Sequence, residues 1–479
     1  MVGEATMNGA TKLIPLVHVD GAQRPGLWPR VAAVVEHFFV TYRGHLVWLH
    51  GVMFVVFLSF IFVPVFLPEV AEDATVLNNF TRFANFAMWG LWFPLVFLSV
   101  IFTGRSWCGL LCPMGAASEW ANKRGLQWAI PGWLSWQGTP IVSFLIITIL
   151  GQTLGVRDHP EAIAEVFGGT MLAAIVMGYV YGRKKRAWCR HACPIGLLLG
   201  VYSRLGAVQF MPKRRKPGGD RQTEKTICPT MIDIQRKQES RHCIECFRCV
   251  QPRARGGLFV RLRKPGEEIE QIASHNANGY EVLFLFLGVG VALGGFLWLV
   301  LPEYQQFRQA IGEWFILQGW YWVGDVGPTW LMSVHPQRRE VFYWLDFMSI
   351  VSFMMLVMLA MASVLSAASA ASAWMAGKFG GQRSFKQRWV ELGYQYAPVA
   401  MVSLIIGLGA SLFEPIALLS NELATGLKVG LFIAGILWSW WLGLRILQEQ
   451  GVNGWRISLP LLPSAFGSLA VALAWWPSM

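Results

Sequence analysis

The sequence predicts an α-helical polytopic membrane protein of about nine transmembrane helices, with a small cysteine-bearing module in one cytoplasmic loop. Three observations lead there. Of the 479 residues, 54% are hydrophobic and only 14% are charged, where a soluble domain carries about 25% charged residues. Nine stretches are apolar for long enough to cross a bilayer, which takes about 20 residues. All eight cysteines fall in loops assigned to one side of the membrane. A soluble enzyme and a disordered chain are both excluded by this apolar content.

The nine stretches are roughly 46–67, 81–103, 139–156, 164–182, 282–301, 344–372, 395–413, 426–446 and 457–476, the last interrupted by Pro460 and Pro463. The start of the chain has no apolar core followed by a small-residue cleavage site, so no cleaved signal peptide is expected. Orientation follows from Lys and Arg in the connections. The loops 104–138, 183–281 and 373–394 are basic, whereas 68–79 and 414–425 carry acidic residues and no Lys or Arg. The 183–281 loop holds 21 Lys/Arg against 9 Asp/Glu, an excess equal to the +12 of the whole chain. That charge therefore reads as a cytoplasmic loop and not as a nucleic-acid surface. The N-terminus is inside, and 302–343 is the main external loop. Its Trp314, Trp320, Tyr321, Trp322 and Trp330 suit an interfacial aromatic belt, with a docking surface for an external partner as the alternative.

Disulfides are rare in the cytoplasm, so the cysteines point to metal or redox chemistry. Cys243-x2-Cys246-x2-Cys249 wraps three thiolates around one corner of a cubane. In two-cluster bacterial ferredoxins the run ends in a fourth Cys that serves the other cluster. Here Arg253 stands in that place. Upstream, Cys228-Pro229 resembles the end of a first such run, whose other three positions hold Gly218, Arg221 and Glu224. The losses agree: one cluster has lost its ligands, and Cys228, Cys243, Cys246 and Cys249 remain for one [4Fe–4S] cluster. Four-Cys zinc is the alternative.

The other four cysteines lie in an internal repeat. Gly104-Arg105, then Trp107-Cys108-x3-Cys112-Pro113-x-Gly115, is matched by Gly182-Arg183, then Trp188-Cys189-x3-Cys193-Pro194-x-Gly196. Each copy follows a helix that runs from outside to inside. Two tandem helix pairs of equal orientation are related by an axis along the membrane normal, as in parallel repeats. Such an axis lets each pair supply half the ligands of one cluster at the cytoplasmic membrane face. A redox disulfide and zinc are the alternatives. The repeated Trp reads as an interface anchor. Met354, Met358 and Met361 share a helix face and read as packing, with Cu(I) as the alternative. No C-x-x-C-H occurs, so no haem c is expected. Gly9-Ala10-Thr11 is like a covalent flavin tripeptide, but it lies on the N-terminal tail, and no flavin is expected.

Paired C-x3-C-P motifs after transmembrane helices, followed by this cysteine-rich loop, resemble the membrane-bound 4Fe–4S ferredoxin-type proteins. These include the quinol-oxidising subunit of nitrate reductase systems, the nitrous oxide reductase regulator and the oxidase-assembly cupric reductase. The resemblance covers about residues 45–300. It implies two [4Fe–4S] clusters and electron transfer at the bacterial cytoplasmic (inner) membrane, with ligands at Cys108, Cys112, Cys189 and Cys193 and at Cys228, Cys243, Cys246 and Cys249. The chain departs from these relatives in retaining one cluster in the module and in ending on four further helices.

The expected organisation is a cytoplasmic segment 1–45, a four-helix tandem-repeat membrane domain 46–203, a cytoplasmic ferredoxin-like module 204–281 and a C-terminal membrane domain 282–479. The expected partners are membrane lipid and a redox protein in a multi-subunit membrane complex. The expected function is electron transfer between the quinone pool, or a membrane redox partner, and an acceptor. The alternatives are a maturation protein supplying electrons for assembly of a metalloenzyme, copper included, and a scaffold in which the clusters only stabilise.

Overall fold

The computed structural model describes residues 27–71, 73–183, 185–212, 227–234, 236–250 and 257–478. The tripeptide Gly9-Ala10-Thr11 and the positions Gly218, Arg221, Glu224 and Arg253 lie outside them. Among the described residues, eight helices are long and apolar enough to cross a membrane: Leu46–Phe66, Phe80–Thr103, Pro160–Val180, Gly279–Val300, Trp344–Lys378, Phe385–Leu408, Asn421–Glu449 and Gly454–Ala474. The protein is a multi-pass membrane protein.

Three elements differ from the sequence expectation. The stretch 139–156 forms a helix of only 15 residues, Thr139–Thr153, because the chain turns back through Gly155, at φ 66°. The stretch 395–413 breaks at Gly409 into a span that starts at Phe385 and a separate helix Ala410–Leu419. A side chain at Gly409 would stand 2.5 Å from the Pro94 ring, so the break lets this connection close on the second span. The N-terminal segment contains a helix, Leu27–Tyr42. It lays Ala32, Val35 and Phe39 on the module, with Phe39 stacked on Phe247 at 4.2 Å. Its other face, including Trp28, Val31, Val34 and Phe38, is exposed.

Small residues bring the helices together, as membrane packing requires. A side chain at Gly290 would meet the Met358 backbone at 2.7 Å, and one at Gly294 would meet Met354 at 2.9 Å. Met354 and Met358 are therefore packed against a notched helix. In the first half, Asn122 Nδ2 donates to Gly178 O and Tyr181 O, both at 2.7 Å. That ties the helix after the first cysteine pair, Pro113–Arg124, to the span before the second. Strands β1 (Val208–Pro212) and β2 (Leu258–Leu262) pair antiparallel, and the four cysteines of the module lie between them in sequence.

One ion network joins this module to the C-terminal helices. Arg204, fully buried, donates to Glu281 at 2.8 Å and to Glu268 at 2.9 Å. Arg263 reaches Glu268 at 2.6 Å, Arg241 reaches Glu281 at 2.7 Å, and the Tyr394 hydroxyl donates to Glu281 at 2.7 Å. Burial works to raise the Glu268 pKa, but Arg263 and Arg204 outweigh it and hold the carboxyl well below the usual carboxylate range.

Because that pKa is depressed, its stabilisation is complete above the unfolded value of about 4.3 and is lost as pH falls toward the native one. Thermal unfolding in detergent should show this acid loss, and Glu268→Gln should flatten it. Arg204→Met should cost about 3–5 kcal/mol, since it leaves two buried carboxylates short of a partner. An unchanged melting point at pH 7 would refute that role.

Candidate iron–sulfur site

The two copies of the repeat fold alike. Each opens with one short helix, Ser106–Leu110 and Ala187–His191. In the first copy, Trp107 O accepts from the N–H groups of Leu111 and Cys112, both at 2.9 Å. In the second, Trp188 O accepts from Ala192 at 3.0 Å and Cys193 at 2.9 Å. The proline after each second cysteine suits a helix start, and Pro113 opens the helix Pro113–Arg124. A methyl group on Gly115 of the first copy would stand 3.1 Å from Cys189 Sγ of the second. The repeat glycine is thus where the copies meet.

The structure brings Cys108, Cys112, Cys189 and Cys193 together, each within electrostatic reach of others in the set. Burial pushes the Cys112 thiol up to about 12 and the Cys189 thiol up to about 11; Arg186 opposes the rise at both. Cys228, Cys243, Cys246 and Cys249 line one cavity, together with Phe210, Thr230 and Glu245. Glu245 and Phe247 sit in the left-handed region at φ 50° and 57°. Alternation of left-handed with ordinary residues turns successive N–H groups inward, the backbone pattern of an anion nest found at Fe–S sites. Burial raises the Cys243 thiol to about 12 as well. All eight cysteines are free thiols. Among the described residues, no three His, Cys, Asp or Glu side chains converge on one ion-sized position.

The two sets adjoin. Gly109, between Cys108 and Cys112, faces the Ile244 carbonyl, and a side chain there would stand 2.9 Å from Cys246 N. The loop 243–249 thus rests directly on the first repeat. Lys185 Nζ donates to Cys228 O at 2.9 Å, and Arg190 donates to Thr230 O at 3.2 Å, so the second repeat holds the other end of the module.

Sequence reasoning missed two arginines. Aligned on the cysteines, the repeat reads Arg105-x-Trp-Cys108 and Arg186-x-Trp-Cys189, and both arginines are buried. Pairing Gly104-Arg105 with Gly182-Arg183 hid that match. The tryptophans also differ from expectation. Trp188 is buried and Trp107 packs edge-on to Trp92 at 5.3 Å, so both are internal packing and not interface anchors.

An iron–sulfur cluster fits these residues. Arg105 Nε, Arg186 Nη2 and Trp188 Nε1 are buried beside the thiols with no acceptor among the described residues. Buried donors demand partners, and the sulfides of an anionic cluster accept hydrogen bonds.

Comparison with known proteins agrees. A 4Fe-4S binding domain matches residues 85–131 and 166–216, which hold both C-x3-C-P pairs and stop short of Cys228. The chain groups with the membrane-bound 4Fe–4S ferredoxin-type proteins. It is an iron–sulfur membrane protein. A Yip1 domain matches residues 261–475. An uncharacterised protein of Methanocaldococcus jannaschii is 27% identical over 163 residues, 32% of this chain and 63% of that protein. NirI of Paracoccus denitrificans is 28% identical over 177 residues, 32% of this chain and 26% of its own length. YccM of Escherichia coli, named for electron transport, is 26% identical over 219 residues, 40% of this chain and 60% of its own. The chain thus spans less than two thirds of each of these three relatives. No solved structure matches the chain.

The contact at Gly109 makes a testable demand. Gly109→Ala should push the 243–249 loop off the repeat at a cost of about 1–3 kcal/mol, read as faster hydrogen exchange across 243–249. Gly132→Ala, with nothing within 4 Å of the new methyl, is the neutral control. Equal exchange in both variants would show that the contact is slack.

Proposed function

We propose that this protein carries electrons through two [4Fe–4S] clusters at the cytoplasmic face of a bacterial inner membrane. The electrons would pass between the quinone pool, or a membrane redox partner, and an acceptor. Cys108, Cys112, Cys189 and Cys193 hold the membrane-face cluster. Cys228, Cys243, Cys246 and Cys249 hold the cluster of the ferredoxin-like module, 204–281, which sits between a repeat domain, 46–203, and the C-terminal helices, 282–479. The observation that carries the reading is the arrangement of thiols as two sets of four in contact at Gly109. A [4Fe–4S] cluster takes four thiolates and supplies one-electron redox chemistry. One zinc ion would draw its four sulfurs to about 2.3 Å from a single point, and among the described residues no three such side chains converge in that way.

The protein's own groups account for the rest. Buried thiols with raised pKa values give up protons as iron binds, so loading is coupled to proton release. The four module cysteines and Cys108 are buried, and Cys112, Cys189 and Cys193 are half-buried. Direct packing of the 243–249 loop on the first repeat keeps the two sites adjacent, the requirement for passing an electron between them. Electron transport in the name of YccM and the 4Fe–4S domain of the repeats support the same reading.

Purified protein should contain about eight iron and eight sulfide per chain; zinc without charge-transfer absorption would overturn the proposal. Cys246→Ser should remove the low-temperature EPR signal of the module and spare the other. Cys112→Ser and Cys193→Ser should both remove the membrane-face signal, because each repeat supplies only two ligands. If those two variants lose different signals, the shared site is wrong. A reporter fused after Gly218 should read as cytoplasmic and one near Gln318 as external; the reverse would put the cysteines on the oxidising side.

A further inference from the structure

An ion triad that coordination does not require, with Arg186 and Glu119 buried and Arg248 half-exposed, lies between the two sets of thiols. Arg186 is fully buried; its Nε donates to Glu119 Oε2 at 2.7 Å and its Nη1 donates to Cys108 O at 3.0 Å. Its backbone N–H donates to Pro229 O at 2.8 Å. One residue of the second repeat is thereby tied to a ligand of the first repeat and to the module. A methyl group built on Gly115 would stand 3.1 Å from Cys189 Sγ and 3.2 Å from Arg186 Nη1, so guanidinium and thiol line the same gap. Glu119 also accepts from Arg248 at 2.7 Å, and Arg248 stands between Cys246 and Cys249 in sequence. Arg186 Nη2 has no acceptor among the described residues.

We propose that the Arg186–Glu119–Arg248 triad is an electrostatic bridge shared by the two [4Fe–4S] sites, in which Arg186 raises the reduction potential of both and Glu119 lowers both. This rests on the two-cluster reading above. The sign follows from charge. Taking up one electron adds one negative charge to a cluster and its four thiolates, and no bond is made or broken. A fixed cation nearby favours the reduced form, and a fixed anion opposes it. Arg186 and Glu119 are buried, so their interaction is far less screened than at a surface. Arg186 shares the gap at Gly115 with Cys189 Sγ on one side, and on the other it reaches the module through its backbone bond to Pro229 O and through Glu119 and Arg248. Glu119 is ionised: burial works to raise its pKa, but Arg186 and Arg248 bring it down to about 2. Arg105 is placed differently. Its guanidinium lies 4.0 Å from Cys108 Sγ and donates to Arg241 O at 2.5 Å, so its charge acts chiefly on the membrane-face site.

The test is a redox titration of the full-length protein in detergent with dithionite and mediators, following each EPR signal. Cys246→Ser and Cys112→Ser assign the signals, and iron and sulfide are measured on every sample. Arg186→Gln should lower both potentials, each by about a tenfold shift in the reduction equilibrium, which is about 59 mV for one electron. Arg186→Lys should recover most of the shift, and Arg105→Gln should move the membrane-face signal more than the other. Glu119→Gln should move both potentials upward. Opposite signs from two residues in contact are something a loosened structure would not produce. Unchanged potentials in fully loaded Arg186→Gln, a shift at one site only, or a downward shift in Glu119→Gln would overturn the bridge. Should Arg186→Gln fail to assemble, the sign of the Glu119→Gln shift decides alone. Wild-type protein without two clusters would sink the two-cluster reading instead, a separate outcome seen in the iron count.

Discussion

The rest of the structure depends on burying cations among thiols. A guanidinium taken out of water costs several kcal/mol unless anions meet it, and Arg105 and Arg186 are both buried at the seam of the two repeats. Glu119 meets part of that charge. The remainder faces Cys108, Cys189 and Cys246, which carry negative charge only as thiolates. With every thiol protonated, the seam holds more positive charge than it can compensate. In our reading the anionic clusters complete it, so ligand geometry and electrostatics ask for the same occupant.

The surrounding fold keeps that seam closed. Asn122 bridges the helix after the first cysteine pair to the span before the second, which fixes the two repeats against each other. Gly109 and Gly115 remove side chains at two close approaches, one toward the module and one between the repeats. Farther out, Arg204 gathers Glu268 from the module and Glu281 from the span that begins the C-terminal half. The matched Yip1 domain begins at residue 261, just ahead of these two glutamates. Charges of the cysteine-bearing half and the C-terminal half are therefore neutralised by each other, and neither half presents this surface to water.

Much of this was legible in the sequence, for identifiable reasons. Eight of the nine apolar stretches became crossing-length helices because hydrophobic length is a local property. The ninth, 139–156, was cut short by the turn at Gly155, which hydropathy does not register. The helix Leu27–Tyr42 went unseen because it is amphipathic and too mixed in composition for a span. The grouping of the cysteines was readable because the C-x3-C-P pair is repeated and Cys243, Cys246 and Cys249 stand close in sequence. The arginines were not, because Gly-Arg precedes the first Cys by four residues in one copy and seven in the other. A register drawn on that pair obscured Arg-x-Trp-Cys. The tryptophans were misjudged because a Trp at a membrane edge is usually an anchor, and only the burial of Trp188 and the contact of Trp107 with Trp92 show otherwise.

The basic 183–281 loop has a second meaning once the ion pairs are known. Its excess of +12 would suit a polyanion partner if the charges were displayed. Many are not: Arg186, Arg204, Arg241 and Arg263 point inward to Glu119, Glu281 and Glu268, and Lys237 donates to Phe210 O. Topology, however, is chosen while the chain inserts, before any of these pairs exists. The same arginines therefore count in full as an orientation signal, and afterwards fold away beneath the loop. In our reading, a sequence that needs buried cations around two anionic sites gains its orientation signal from those same residues, which is why the cysteines and the positive charge share one loop.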